Sequence, residues 1–507
     1  MKLKDYNPFD MLKSYDFFDS GIMFGIDKFD IVIMNPPYFQ LTGKHKYLNY
    51  FEKGKTKVAD IYQLFMETAL NKLLQETGIV SAVVSNKWMR AGYGERTRAF
   101  LYNSAYVFEV IDLGANWFES ATVDTNIITY TKGKEKQEFI EAYKISKCDN
   151  IEKEKKIVIA SNKRELNVDC FGLRPRNDES EQSNNNVALA HCVETTQGAS
   201  HTEGGQSSRD ADAKAALLSA NKNFIFPSKD YGAWIILNKI EKDILAKVQK
   251  FKPLKDWNIN IYRGITTGLN EAFIINEETK NKLIAEDKKS AEIIKPLLRG
   301  RDIKRYSYDF KNLYLINTHN GLKEKNISPI DINKYKAIKK HLDKFYSDLE
   351  IRQDKGITPY NLRNCTYIED FEKPKIVYQE ICLNASYSFD DKNSFLTNNA
   401  YMMISPNYNL KLLLGLLNSK LYWWFFTKNN VSLGDSGVRM LAMSIEVLPI
   451  PEVDKKTEDK VVSLVERIIE KKRSKVDSLE EEREIDRVVY RLYGLTEGEI
   501  KVVENNN

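Results

Sequence analysis

Ten residues near the start constrain this chain most. Phe29-Asp30-Ile31-Val32-Ile33-Met34 is a short, β-branched apolar run, and it leads directly into Asn35-Pro36-Pro37-Tyr38. The run predicts a buried strand, and the double proline ends it as a rigid loop, because proline fixes φ and carries no backbone N–H. Asn35 and Tyr38 are then held at fixed places on either side of the prolines.

The tetrapeptide suits a demanding reaction, the methylation of an exocyclic amine on a nucleobase. Such an amine is a poor nucleophile because its lone pair is delocalised into the ring. If the Asn35 side-chain oxygen and the Pro36 carbonyl each accept one amine hydrogen, the nitrogen can pyramidalise and regain that lone pair. With Pro36 and Pro37 in the loop, there is little competing donation. The Tyr38 ring can then stack on the base.

Phe29–Tyr38 resembles motif IV of the amino-methyltransferases that act on DNA adenine. The order downstream is similar too. Asp60-Ile61-Tyr62-Gln63-Leu64-Phe65 opens a helix expected to end at Gly78, and a strand over Ile79–Val84 leads to Ser85-Asn86-Lys87-Trp88. A helix with Gly94-Glu95-Arg96, the segment Asn116-Trp117-Phe118-Glu119-Ser120 and a strand Thr125–Tyr130 follow. This is the order of the catalytic half of the TaqI-like adenine methyltransferases and their type IIG restriction–modification relatives. The resemblance implies that Tyr38 and Phe118 sandwich a flipped adenine. It also implies that Phe65 and Asn35 face the cofactor S-adenosylmethionine, with no metal required.

In that family a glycine-rich turn and a ribose-binding carboxylate precede the Asn-Pro-Pro-Tyr strand by a long stretch. Here residues 1–34 precede Asn35, and they hold Gly21 and Gly25 without a strand and a GxG-like turn. Asn7-Pro8-Phe9-Asp10 looks like the family's lead-in to the strand. The expectation is therefore the C-terminal part of a longer enzyme, partnered by a separate N-terminal methyltransferase or nuclease polypeptide. A non-catalytic DNA-binding fragment or subunit is the alternative. Modification of a protein glutamine amide or an RNA base is a third option, disfavoured by the large second domain.

Five cysteines show no CxxC spacing, which argues for a reducing cytosol and against a zinc site. The lysine-rich start has no apolar core, and no apolar run is long enough to span a membrane. A net charge of +5 is a weak nucleic-acid signal, so local clusters matter more. Residues 1–145 alternate strands and helices, as in a doubly wound sheet. Residues 146–223 read as a linker, with a polar, small-residue insert over 174–219 that cannot support a core. His191 and His201 fall in it and read as solvated loop residues.

Aromatic and β-branched content returns over 224–453. Tyr262-Arg263-Gly264-Ile265-Thr266-Thr267-Gly268, Arg299-Gly300-Arg301-Asp302-Ile303-Lys304-Arg305 and Pro374-Lys375-Ile376-Val377-Tyr378-Gln379-Glu380 resemble, in this order, the TaqI-like target-recognition domain. The first joins a basic residue to a Gly/Thr turn that can hold a phosphate. The second concentrates arginines suited to phosphate or guanine edges. Arg263, Thr266, Thr267, Gly268, Arg299, Arg301, Lys304 and Lys375 are thus the candidate contacts to double-stranded DNA. Leu412–Leu417 and Leu421–Phe426 read as a buried apolar helix. Residues 454–507 have helical spacing, with Gly494 as a stop, and predict a helical hairpin. The fold expected is an α/β partial methyltransferase sheet, then an α+β recognition domain, then a helical tail.

Overall fold

The computed structural model describes residue 21 and residues 25–42, 58–114, 124–144, 223–430 and 437–505. The insert over 174–219, the linker around it, and Phe118 lie outside the described residues.

The first sheet has six strands. In chain order the first elements are β1 (Phe29–Met34), which belongs to it, and the short β2 (Gln40–Thr42) and β3 (Val58–Asp60), which pair with each other outside it. Helix α1 (Ile61–Thr68), β4 (Leu74–Ser85), helix α2 (Glu95–Ser104), β5 (Ala105–Gly114), β6 (Thr125–Lys132), β7 (Ile140–Lys144) and β8 (Asn223–Ile225) follow. The sheet order is β1-β4-β6-β5-β7-β8. β1 and β4 run parallel, whereas β6 is antiparallel to both β4 and β5.

Two local readings differ from expectation. α1 passes through one π-helical turn, Ala69–Leu73, and the strand then begins at Leu74, so Gly78 lies inside β4. A Cβ at Gly78 would meet the Asp30 carbonyl at 2.7 Å, so glycine here permits close pairing with β1. Second, β1 is not a buried strand. It is hydrogen-bonded on one side only among the described residues, and Ile31 and Ile33 are 65% and 70% exposed. An edge strand covered on one face keeps its β-branched pattern without the burial that pattern usually signals.

The core of this unit joins Tyr62, Met66 and Leu70 of the α1 segment to Val80, Ala82, Val84, Val107, Val110 and Ile128 of the sheet. Trp234 and Ile236 belong to the same core, and β8 pairs with β7. The chain thus returns to the first sheet after residue 222. The Trp88 and Trp234 rings meet edge-on at 5.3 Å, and the Trp234 N–H donates to the Met89 carbonyl at 2.7 Å.

The second unit is built on an antiparallel sheet ordered Asn260–Arg263, Ala400–Ile404, Lys375–Gln379, Tyr387–Asp390. Side chains alternate across it, as period two requires. Val377 and Met402 face a core shared with Phe273, Leu297, Leu315 and Phe395. Ile376, Tyr378 and Met403 face the opposite core, which the C-terminal helices complete. The apolar segment around Leu412–Phe426 is two helices, Leu410–Leu417 and Lys420–Asn429, not one. The break is caused by buried Asn418, whose amide exchanges hydrogen bonds with the backbone of Tyr387, and by Ser419, which caps the second helix. Helices Lys455–Arg473 and Leu479–Leu492 pack Val461, Val465, Ile485 and Val489 into this core, and Glu497–Asn505 adds a third. Gly494 terminates the second with φ +62°. Among the described residues no helix is long and apolar enough to cross a membrane.

Candidate functional site

β1 and β4 run parallel, so their carboxyl ends open on the same edge of the sheet. Asn35 leaves β1 there and Asn86 leaves β4 there, beside the start of the antiparallel β6. Clefts outside the carboxyl ends of strands are the usual ligand sites of open α/β sheets.

Asn35 is exposed, Pro36 is buried and Tyr38 is half-buried. The Tyr38 hydroxyl lies 2.9 Å from the Asn35 side-chain oxygen and 2.9 Å from the Val83 carbonyl on β4. Its ring meets Tyr62 of α1 edge-on, with centroids 6.1 Å apart and planes at 88°. Burial pushes the Tyr38 phenol above its ordinary pKa, so it keeps its hydrogen for donation. Phe65 sits on the same helix as Tyr62 and is 42% exposed.

The supporting residues explain the weaker motifs. Gln63 accepts from the Asp60 N–H at 2.9 Å, closing the start of α1, and its amide reaches the Thr97 hydroxyl on α2. Glu67 pairs in a two-pronged bridge with Arg96, at 3.0 and 3.1 Å, so the Gly94-Glu95-Arg96 segment ties α2 to α1. On the other side of the edge Asn86 donates to Asp112 at 3.0 Å. Asp124 lies near both Asp112 and Arg90, and burial followed by the Asp112 charge raises its pKa. Sequence reading passed over Asp112 and Asp124, because neither belongs to a local motif and only strand pairing brings them together.

The recognition-unit candidates divide into exposed and engaged. Arg263 is half exposed and bonds Glu380 at 2.9 Å. Gly264, next to it, has no room for a side chain, since a Cβ would collide with the Thr397 carbonyl. Thr266 is half-buried and Gly268 has φ +70°. Thr267 is 4% exposed; its hydroxyl donates to Asn270 at 2.6 Å and its carbonyl accepts from Arg352. The turn is therefore shaped from inside by Arg352, and the Thr267 hydroxyl does not face outward. Arg299 closes a two-pronged bridge onto buried Asp302, at 2.8 and 2.9 Å. Arg305 pairs with Glu482 of the C-terminal helices at 2.6 Å. Arg301 and Lys304 are exposed, with Lys304 donating to the Arg301 carbonyl at 2.9 Å.

Lys375 requires a correction. Expected at the DNA surface, it is fully buried, as is Asp390, and the two pair at 2.6 Å. Its ammonium also donates to the Phe371 carbonyl at 2.7 Å. It lies on a central strand between two cores, and a charge there is retained only when paired. In this fold it cannot touch a phosphate.

Sequence reading also passed over Arg439. Its Nε and Nη2 donate to Glu380 Oε1 at 2.8 and 2.6 Å, opposite the oxygen taken by Arg263. Nothing local in the sequence marks it, since Val438–Arg439 is brought beside Glu380 by pairing with Ile381–Cys382.

Residues 3–118 match the model of the Eco57I restriction-modification methylase, and residues 295–450 match the TaqI-like C-terminal specificity domain. The chain is 21% identical to the type II methyltransferase M.BstVI of Geobacillus stearothermophilus, over 94% of this chain and 75% of that protein. It is 22% identical to M.BanIII of Aneurinibacillus aneurinilyticus, over 93% and 77%. Among solved structures, the type IIL restriction-modification enzyme MmeI in complex with DNA superposes with a TM-score of 0.52 at 12% identity. That match covers 94% of this chain and 56% of MmeI, and it shows a shared fold. The chain thus carries an Eco57I-type restriction-modification methylase region followed by a TaqI-like specificity domain, and it is homologous to type II methyltransferases of restriction–modification systems.

Proposed function

We propose that this chain carries the catalytic and target-recognition parts of a site-specific DNA adenine N6-methyltransferase acting on double-stranded DNA. The observation that carries the reading is Asn35–Tyr38 at the carboxyl end of β1, with the Tyr38 hydroxyl against the Asn35 oxygen. A carbonyl oxygen has two lone pairs, so Asn35 can hold Tyr38 and still accept from an adenine amine. The Pro36 carbonyl takes the second amine hydrogen, and the Tyr38 ring stacks on the flipped base. Unstacking the base costs a few kcal/mol, of which one aromatic stack returns about 1–3 kcal/mol. Phe118 is the proposed partner on the other face.

S-adenosylmethionine, when bound, supplies the methyl group. Exposed Asn35 and Phe65 fit one side of its site. A second reading, a DNA-binding chain that gains its cofactor site from another polypeptide, is favoured by the exposed edge of β1 at Ile31 and Ile33.

The test is transfer of labelled methyl to duplex DNA, with the product digested and the modified base identified. N6-methyladenine is expected, and Asn35→Ala should lower the rate about a hundredfold or more, the scale of losing one well-placed polar group at a reacting atom. Label in another base, in RNA or in protein would overturn the reading, as would an unchanged rate in the variant. Activity that arises only on adding a second polypeptide would select the second reading.

A further inference from the structure

Glu380 is held at the end of the central strand Lys375–Gln379 of the recognition unit, with its side chain only 9% exposed. Each of its oxygens receives a different arginine. Arg263 Nη2 reaches Oε2 at 2.9 Å, and Arg439 reaches Oε1 through both Nε and Nη2. The arginine side chains stay 48% and 54% exposed. The cluster is fixed from behind: Arg263 Nε donates to the Asn398 carbonyl at 2.5 Å, and the Glu380 backbone bonds Asn399 and Met440.

We infer that Arg263 and Arg439, oriented by Glu380, read guanine edges in the major groove, so that the recognition sequence contains G·C pairs at the positions they face. The inference rests on the DNA-binding reading above and names what that surface recognises. Three arguments support it. A guanidinium has five N–H donors in a rigid fork, and the two bonds from Arg439 to Glu380 account for two of them. Bidentate donation to guanine O6 and N7 needs such a fork at a fixed angle. Charge gives the second argument. A cluster built to grip phosphates gains nothing from a carboxylate, which cancels one of its two positive charges and opposes the phosphate. A cluster built to read bases gains orientation from it at the expense of phosphate attraction. Third, exposed Arg301 and Lys304 provide cations that no two-pronged carboxylate bond neutralises, which suits phosphate contacts.

The experiment uses the full chain and a randomised duplex library, with bound sequences recovered and affinity measured on one selected and one unrelated duplex. Wild-type protein should enrich a motif containing guanine. Arg439→Ala and Arg263→Ala should each lose preference at a base pair, an effect of about 5- to 150-fold per contact, while affinity for the unrelated duplex falls far less. Arg439→Lys separates the two roles, because an ammonium replaces a phosphate contact but not a two-pronged base contact. It should remain as unselective as the alanine variant. Glu380→Gln should bind the unrelated duplex at least as well as wild type and discriminate less. A lysine variant that regains full selectivity overturns the inference, as does an unchanged motif in both alanine variants. Failure of the wild-type chain to bind any duplex would instead remove the DNA-binding reading itself, and the inference with it.

Discussion

The single hydrogen of the Tyr38 hydroxyl faces two acceptors at the same distance, Asn35 Oδ1 and the Val83 carbonyl, each 2.9 Å away. One of these bonds orients the amide proposed to polarise the adenine amine, and the other anchors the loop to β4. Tyr38 therefore has a role beyond the base stacking proposed for its ring. When its hydrogen points to Asn35 it favours the oxygen end of that amide, because the amide oxygen accepts from a phenol and the NH2 does not.

Tyr38→Phe keeps the stacking ring and removes this selection. Turnover should fall about 2- to 10-fold, the range of one neutral hydrogen bond. DNA affinity should stay within a few-fold, since the phosphate contacts are untouched. Single-turnover methylation beside a binding titration measures both. A drop in affinity with unchanged turnover would assign the hydroxyl to DNA binding.

Lys375→Met leaves Asp390 charged and buried without its partner. Breaking such a pair costs about 3–5 kcal/mol. Urea unfolding should register that loss in the recognition unit. Variant protein that remains folded should bind DNA as wild type does. Normal stability combined with weakened DNA binding would contradict the buried placement.

Burial holds the Asp486 carboxyl up at about 6, although the Lys420 N–H and the Arg305 charge pull the other way. The ordinary value is 3.8, so the folded state holds the proton more tightly than the unfolded chain does. The group's contribution to stability is full below the ordinary value and is lost as pH rises through about 6. Over roughly two pH units this amounts to about 3 kcal/mol. Asp486→Asn cannot ionise and keeps an acceptor for the Lys420 N–H. It should raise stability at about pH 7.5 and do much less at about pH 4.5, seen as a flatter melting-temperature profile. Equal gains at both values would mean that ionisation of Asp486 is not the cause.

Gly264→Ala forces a methyl group against the Thr397 carbonyl. A cost of about 1–3 kcal/mol is expected for such overpacking. It should shift Arg263, one residue away, and weaken selection among duplexes more than binding to an unrelated one. A thermal melt with the two-duplex titration checks both effects.

The strand and loop at Phe29–Tyr38 were legible because their information is local. A β-branched run, two prolines and an aromatic specify a strand and a loop without reference to the rest of the chain. The helical tail was legible for a similar reason, since its apolar period and Gly494 are written in consecutive residues. Lys375 was misread because its sequence neighbours look like those of any strand lysine, and its partner Asp390 is brought to it only by antiparallel pairing. Arg439 was passed over for the same reason, as Glu380 is far from it in sequence. The burial of β1 was also misread, because alternation reports what a strand prefers and not how many neighbours it has.

β7 and β8 pair antiparallel, with Ile140 opposite Ile225 and Ala142 opposite Asn223. The chain therefore leaves the first sheet and re-enters it at almost the same point, so Lys144 and Asn223 end neighbouring strands. The entropy of closing a long loop grows only logarithmically, so doubling its length costs about 0.6 kcal/mol. The β1 edge, at the opposite side of the sheet, would feel little of that. With its two ends side by side on the edge of the sheet away from β1, this junction is a natural position for grafting a reporter.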